Sequence, residues 1–299
     1  MAIPGGVRCA LVLLVLLGAS LAARAQGEQR VPPLVVSSIR PLHLMLRALT
    51  GDSVEARVLL EAGVSPHDFV LRPSQLRLLS AARQVFWFDA TLEHPLPAVF
   101  ARLPAPRRDT ALLPLIAPPA RGDGYVDPHV WLDPRLAAVT AVAMARVLEE
   151  RGLVSAAQIA PRLQAFQVEM ERVEQDIAGQ LRGLEAVPFA AMHDGYAYFV
   201  QRFGLEQAAV LALDAEQQVG ARALSRMRRE MQDSGAVCLL RERSGDNARL
   251  AQMIIEGRAM RVAELDSLAS DAPDDAGGYA LFLEDFARAV AVCLRGPAS

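Results

Sequence analysis

Residues 155–184 read SAAQIAPRLQAFQVEMERVEQDIAGQLRGL and carry the strongest periodic pattern in the 299-residue chain. Apolar residues recur there at steps of three and four, the spacing of one stripe along an α-helix. The stripe comprises Ile159, Leu163, Phe166, Met170, Val173, Ile177, Leu181 and Leu184. At about 1.5 Å per residue, roughly 30 residues would span about 45 Å. Because that length exceeds an ordinary connector, the pattern predicts one long rigid helix that joins two parts of the protein.

Short runs of apolar and β-branched residues lie on both sides of this predicted helix, each followed by turn residues or a helical pattern. Before the helix the runs cover residues 34–37, 54–60 and 85–88. After the helix they cover residues 188–192, 208–212, 236–240 and 261–265. Strands that alternate with helices favour parallel sheets covered on both faces. The predicted fold is therefore α/β, with two lobes that each hold a mostly parallel sheet flanked by helices.

The chain divides into four predicted segments: a signal peptide at 1–25, an N-terminal lobe at 26–153, the linking helix at 154–184 and a C-terminal lobe at 185–299. Within the first lobe, residues 103–124 are rich in proline, alanine and arginine. That composition predicts an irregular surface loop.

The first 25 residues have the three parts of a cleavable signal peptide. Arg8 precedes an apolar run at 10–17, and residues 23–25 read Ala-Arg-Ala, a small-x-small cleavage signal. The run is shorter than the roughly 20 residues that a membrane-spanning helix needs. Cys9 lies ahead of the run rather than at the cleavage point, so no lipid anchor is expected. The mature protein is predicted to be exported to the periplasm.

Composition and charge exclude several classes of protein. The chain is 52% hydrophobic with a formal net charge of −3, which fits a globular protein and gives no electrostatic basis for binding nucleic acid. All 31 basic residues are arginine. Enzymes that depend on a phosphate-loop, Schiff-base or kinase-type lysine are therefore excluded.

Two cysteines, Cys238 and Cys293, remain after removal of the signal peptide. An even number of cysteines in an exported chain favours a disulfide, and two buried free thiols are the alternative.

Three of the five histidines stand in polar, turn-like settings directly after apolar runs: Ser-Pro-His-Asp at 65–68, Asp-Pro-His-Val-Trp at 127–131 and Met-His-Asp-Gly-Tyr at 192–196. A single histidine in such a setting is usually an ordinary hydrogen-bonded residue, but three alike favour a shared metal ion. Each has an aspartate within two positions that could accept the second ring N–H of a metal-bound imidazole. Asp68, Asp127 and Asp194 are these candidates, and capping of a turn or helix is the alternative for each.

The spacing places the three histidines on both sides of the long helix. His67 and His129 precede the helix and His193 follows it, with more than sixty residues between successive members. If they meet, the site must lie in the cleft between the lobes, at the carboxyl ends of the strands. His43 and His94 lack such a setting and are assigned to packing or to the surface.

Several segments resemble the metal-specific solute-binding proteins of bacterial ABC importers, in particular the periplasmic zinc-binding proteins that feed zinc-uptake permeases. The likeness covers essentially the whole mature chain, and its segments are VVSSIRP at 35–41, SPHDFVLRPS at 65–74, DPHVWLDP at 127–134 and HDGYAYFVQRFGL at 193–205, with the end of the chain from Ala236. The resemblance places His67, His129 and His193 on the three histidine ligands of that family. Cys238 and Cys293 match a cysteine pair of its zinc-type members.

The resemblance also implies a fourth ligand, which in the family is a carboxylate from the second lobe or water. Asp246 falls on the aspartate position of several relatives and is the first candidate for the fourth ligand. Glu242 is the second candidate, and the alternative role for Glu242 is that of a structural carboxylate paired with an arginine. A histidine-rich acidic loop common in zinc-type relatives is absent, since residues 103–124 contain no histidine.

The function implied is capture of Zn²⁺ by a monomer that performs no chemistry and delivers the ion to an inner-membrane ABC permease. A histidine at position 193 favours zinc, because manganese-binding relatives usually carry glutamate there. Two other hypotheses stay open. Three histidines plus water also occur in zinc-dependent hydrolases, and a manganese-specific protein or a surface adhesin could share the scaffold.

Overall fold

Two four-stranded parallel sheets form the framework of the protein in the computed structural model, which describes residues 31–103, 108–120, 124–212, 220–243 and 248–296. The first sheet has the order β2-β1-β3-β4 and comprises β1 (Leu34–Ser37), β2 (Glu55–Val58), β3 (Gln84–Trp87) and β4 (Asp109–Ala111). The second has the order β6-β5-β7-β8 and comprises β5 (Phe189–His193), β6 (Gln207–Ala212), β7 (Cys238–Glu242) and β8 (Arg261–Leu265). The predicted α/β fold is confirmed, and both sheets have the same strand order.

Helices connect and flank these strands. The helices before residue 151 are α1 (Arg40–Thr50), α2 (Pro73–Ala81), α3 (Leu96–Phe100), α4 (Leu113–Ile116) and α5 (Pro134–Glu150). The remaining helices are α6 (Ala156–Leu181), α7 (Ala197–Phe203), α8 (Ala221–Ser234), α9 (Ala248–Ile255) and α10 (Gly278–Arg295). Short 3-10 turns cover Gly51–Ser53 and Val130–Leu132. Among the described residues, no helix combines the length and the apolar composition needed to cross a membrane.

The burial of the inner strands explains why their residues form recognisable apolar runs in the sequence. Every residue of β3 and β5 is buried, which matches the continuous apolar runs expected of strands covered on both faces. The outer strand β2 alternates between exposed and half-buried residues, because it lies at an edge of its sheet. The apolar pattern is therefore clearest at the centre of each sheet, where the site will be found.

One sequence expectation is wrong, namely the irregular loop at residues 103–124. The described part of this segment contains β4, paired in parallel with β3 so that Phe86 lies opposite Thr110, and also α4. The strand has only three residues, all half-buried at a sheet edge, and so lacks the alternation by which a strand is recognised. Pairing with β3 supplies the order that the local composition does not predict.

Helix α6 is the predicted linking helix, and its buried residues are those of the predicted stripe from Ile159 to Leu181 except Leu163, which is half-buried. Its N-terminus is a capping box in which Ser155 and Gln158 exchange hydrogen bonds. The helix ends three residues before the predicted Leu184, because Gly183 adopts φ +80, the left-handed conformation that commonly terminates helices. It packs against α1, α5 and α10, so the same helix contacts elements that accompany both sheets.

Hydrogen bonds and ion pairs also join the two halves directly. Trp131 Nε1 donates to the carbonyl oxygen of Ser267 at 2.7 Å, and the Tyr279 hydroxyl donates to the carbonyl oxygen of Trp131 at 2.6 Å. Arg202 on α7 donates to both carboxylate oxygens of Asp133, the N-cap of α5. Together with α6, these contacts restrict the relative movement of the two sheets.

The predicted disulfide between Cys238 and Cys293 is present and connects the first residue of β7 to α10. It closes a sequence separation of 55 residues, and both cysteines are buried.

Candidate metal centre

One of the three histidines singled out in the sequence ends a strand, and the other two lie in connections of the N-terminal half. His67 stands in the connection between β2 and α2, and His129 directly precedes the 3-10 turn Val130–Leu132. His193 is the last residue of β5. Ligand sites of parallel sheets usually lie beyond the carboxyl ends of the strands, and here such positions bring side chains from both halves of the chain together.

Nitrogen atoms of His67, His129 and His193 lie within 4.8 Å of one another. The Nε2 atoms of His67 and His129 are 3.3 Å apart, and the three ring centres are separated by 5.3, 5.5 and 4.8 Å. Zinc binds imidazole nitrogen at about 2.0 to 2.1 Å in tetrahedral geometry, which places two such nitrogens about 3.3 Å apart and their ring centres about 5 Å apart. The arrangement thus has nearly the dimensions of a tetrahedral three-histidine site.

Asp127 holds the ring of His129 in a defined orientation. Its Oδ1 lies 2.6 Å from His129 Nδ1 and accepts the His129 backbone N–H at 3.0 Å. An Nδ1–H that points at a carboxylate leaves Nε2 as the free lone pair, and it is Nε2 that faces His67. Both residues are buried, with exposed fractions of 2% for Asp127 and 6% for His129, so solvent does not compete for this contact.

Glu242 lies beside His193 in the other half of the site. It ends β7, the neighbour of β5, and its Oε1 is 3.7 Å from His193 Nδ1. The Ser267 hydroxyl donates to its other carboxylate oxygen. Burial alone would raise the pKa of Glu242, but His193, Ser267 and Tyr196 around the carboxylate together hold that pKa below its usual value. A buried negative charge therefore stands behind His193, as Asp127 stands behind His129.

Asp194 and Asp68 are two further carboxylates predicted from the sequence. The Asp194 side chain accepts a hydrogen bond from Gln207 Nε2 at 3.0 Å, while its backbone N–H donates to Ala212, so it ties the end of β5 to β6. Asp68 is exposed, and Asp246 lies outside the described residues. Asp266 lines a cavity of about 150 Å³ together with Glu242 and Gly63, and the sequence did not single it out.

A comparison with known proteins identifies the family. Residues 35–293 match the family described as zinc-uptake complex component A, periplasmic. The chain belongs to this family. The high-affinity zinc uptake system protein ZnuA of Paracoccus denitrificans is 30% identical over 323 residues, covering 95% of this chain and 97% of that protein. The protein of the same name from Yersinia pestis is 28% identical over 295 residues, covering 87% and 91% respectively.

A crystal structure of ZnuA has the same architecture as the present chain. It matches with a TM-score of 0.74 at 25% identity, over 87% of this chain and 98% of that chain. The resemblance recognised in the sequence is therefore confirmed. The family consists of periplasmic components of zinc uptake and is not a class of enzyme.

Gly195 is a structural requirement of the site that the sequence analysis missed. A Cβ atom at this position would lie 2.7 Å from His193 Cε1, which is too close for two carbon atoms, and 3.2 Å from His129 Cδ2, which is a tight contact. Only a residue without a side chain lets the two rings approach each other here. The signal was present in the His-Asp-Gly sequence, because a glycine two residues after a candidate histidine indicates a close approach.

The two histidines outside the set differ from each other. His43 is buried, and its Nε2 lies 2.8 Å from Asp274. Burial is the main influence on the His43 ring and lowers its pKa, although Asp274 opposes the shift. His94 is exposed, as predicted, but its ring centre lies 6.3 Å from that of His67. Proximity between residues 27 positions apart was not visible in the sequence.

The N-terminal sheet carries a buried carboxylate, that of Glu93, where β1 and β3 end. This point corresponds to the ends of β5 and β7 in the C-terminal sheet, where His193 and Glu242 lie. Glu93 is fully buried and accepts hydrogen bonds from the Ser38 hydroxyl, which follows β1, and from the backbone N–H groups of Phe88 and Asp89, which follow β3. Burial raises the pKa of Glu93 to about 7, against the effect of these donors. Glu93 thus holds the ends of two neighbouring strands together.

Proposed function

We propose that this chain captures Zn²⁺ between its two lobes and delivers the ion to an inner-membrane ABC permease. The observation that carries the proposal is the convergence of three imidazoles from both halves of the chain, with two Nε2 atoms 3.3 Å apart. In this proposal His67, His129 and His193 are the protein ligands of the zinc ion. The relatives named as zinc-uptake proteins support the same cargo.

The donor set favours a borderline divalent ion. Three neutral nitrogens suit zinc, whereas manganese prefers carboxylate and carbonyl oxygens. The flanking carboxylates Asp127 and Glu242 offset the charge of a bound cation and raise the basicity of the imidazoles they face. Copper and nickel also bind imidazole, so discrimination among these metals depends on their supply as well as on the site.

The fourth coordination position is assigned to a carboxylate of the second lobe or to water. Glu242 is buried with one carboxylate oxygen 3.7 Å from His193 Nδ1, which makes it a candidate for this position. Asp246 remains the aspartate proposed from the family resemblance. Coordination by either carboxylate would leave no open position for a substrate, which argues against the hydrolase hypothesis.

We propose lobes at 26–153 and 185–299 that make a small closing movement about the linking helix 154–184. Contacts such as Trp131 to Ser267 and Arg202 to Asp133 already join the two halves and limit this movement. Cleavage of the signal peptide at 1–25 would release the protein into the periplasm as a monomer, where the loaded form meets the permease.

Titration calorimetry of the purified mature protein with zinc sulfate tests the proposal. We expect one zinc ion per chain, and His129→Ala should weaken binding by at least about 100-fold, because even loss of a residue that supports a ligand costs 10- to 100-fold. Val70→Ala is the matched control, since Val70 lies on the His67 loop and is 92% exposed. Equal affinities of His129→Ala and wild type would contradict the proposed ligand set, and turnover of esters or peptides by the zinc-loaded protein would contradict the carrier function.

A further inference from the structure

His94 forms the outermost member of a graded series of histidines. It is exposed, His67 next to it is half-buried, and His129 and His193 are only 6% and 4% exposed. The rings of His94 and His67 lie 6.3 Å apart with their planes inclined by 55°. The series therefore runs from solvent to the interior, and His67 stands between the outer residue and the inner pair.

The backbone at His94 is held in place although its side chain faces solvent. The neighbouring Glu93 carboxylate accepts two backbone N–H groups at the end of β3, at 3.1 Å from both Phe88 and Asp89. The backbone N–H of Glu93 donates to the carbonyl oxygen of Asp89 at 2.9 Å, and that of Leu96 donates to the carbonyl oxygen of Glu93 at 3.0 Å. The turn that carries His94 is thus fixed to the sheet, which keeps its imidazole at the mouth of the site.

The distance to His67 is close to what one metal ion bound by both rings requires. Imidazoles that share a tetrahedral zinc ion have ring centres about 5 Å apart, so the observed 6.3 Å is about 1 Å too long. Exposed side chains change rotamer on the picosecond to nanosecond timescale. Rotation of the exposed His94 side chain moves its ring without any change in the backbone, so the separation from His67 is adjustable.

We propose that His94 and His67 form an outer two-histidine site that binds the incoming zinc ion before His129 and His193 engage it. The same pair holds the departing ion on release. His67 belongs to both sites, so the ion moves inward by exchanging His94 for the two buried histidines without losing contact with the protein. This inference rests on the proposed function, because it assigns a loading route to the same zinc site.

A transit site has a distinctive kinetic signature. Among the described residues, the histidines whose ligand atoms lie within 4.8 Å of one another are His67, His129 and His193, and His94 does not belong to this group. In this proposal His94 therefore does not bind the zinc ion once it has reached the inner site. A residue that binds the ion in the rate-limiting transition state, but in neither the free nor the final state, accelerates association and dissociation by the same factor, and its loss leaves the equilibrium constant unchanged.

Stopped-flow measurement of zinc binding to the mature protein tests this. Trp131, whose ring centre lies 5.0 Å from that of His129, provides a fluorescence signal for association with zinc sulfate, and dissociation is followed after mixing the loaded protein with excess EDTA. His94→Ala and His94→Gln should each lower both rate constants by about tenfold, equivalent to one missing ligand in the transition state. Val70→Ala, at another exposed position near the site, should change neither rate.

Each of three other results would contradict a different claim. Unchanged rates in both His94 variants would refute the outer site while leaving the zinc carrier intact. A weaker equilibrium affinity caused only by faster dissociation would make His94 a ligand of the bound state and refute its transit role. Failure of the wild-type protein to bind zinc would refute the proposed function itself.

Discussion

Replacing Gly195 by alanine should destroy zinc binding without unfolding the protein. The new Cβ would lie 2.7 Å from His193 Cε1, about 0.8 Å inside the roughly 3.5 Å of an ordinary carbon contact. Ligand distances in metal sites tolerate deviations of about 0.2 Å, so a ring displaced by several times that amount no longer coordinates. Loss of His193 should weaken zinc binding by at least about 100-fold, or about 2.7 kcal/mol. The backbone itself accepts alanine, because φ of Gly195 is not positive.

Competition with a chromophoric zinc chelator measures this loss, and Gly179→Ala is the matched control. Gly179 is an exposed position inside α6 with open space around its Cβ. Alanine there should leave zinc affinity unchanged and raise the free energy of unfolding by about 0.8 to 1 kcal/mol, the difference in helix propensity. Wild-type zinc affinity in Gly195→Ala would refute the reasoning, since it would mean that the bound rings do not occupy the positions described here.

Three further changes should have separable effects. Asp127→Asn should weaken zinc binding 10- to 100-fold by calorimetry, because Asp127 orients the His129 ring at 2.6 Å. The pKa of the Glu93 carboxyl is about 7 in the folded protein and about 4.3 in the unfolded chain. The folded state therefore binds this proton more tightly, and the resulting stabilisation is complete below pH 4.3 and is lost as pH rises to 7. Glu93→Gln should therefore remove a pH dependence on the order of 4 kcal/mol from urea unfolding curves. Replacing Cys238 and Cys293 by serine should lower the free energy of unfolding by about 4 kcal/mol in urea, as expected for a loop of this length.

The sequence predicted the architecture because its decisive features are local and periodic. The stripe on α6 and the apolar runs of β3 and β5 follow from burial alone, so they appear as patterns within short windows. Strand β4 was not predicted because it has three half-buried residues and is defined by its partner β3. The end of α6 was placed too late because an apolar residue follows Gly183, whose positive φ stops the helix.

The site was predictable as a set of residue types but not as a three-dimensional arrangement. His67, His129 and His193 stood out because each follows an apolar run and has an aspartate nearby, and Asp127 acts within the same short motif. The neighbourhood of His94 and His67 depends on how two loops of one sheet fold beside each other. Contacts of this kind arise from tertiary structure, and no spacing rule predicts them.

The two sheets have the same strand order, yet they contribute to the site differently. In the C-terminal sheet, His193 and Glu242 end neighbouring strands at the point where the connections change direction, the usual ligand position in such sheets. The matching point of the N-terminal sheet is filled by Glu93, which holds β1 and β3 together. The histidines of that lobe therefore come from connections that follow its strands, where His67 is half-buried and His129 is buried. In the proposed loading route, a cation that arrives from solvent therefore meets His94 and His67 of the N-terminal lobe first, and the buried His129 and His193 complete the site.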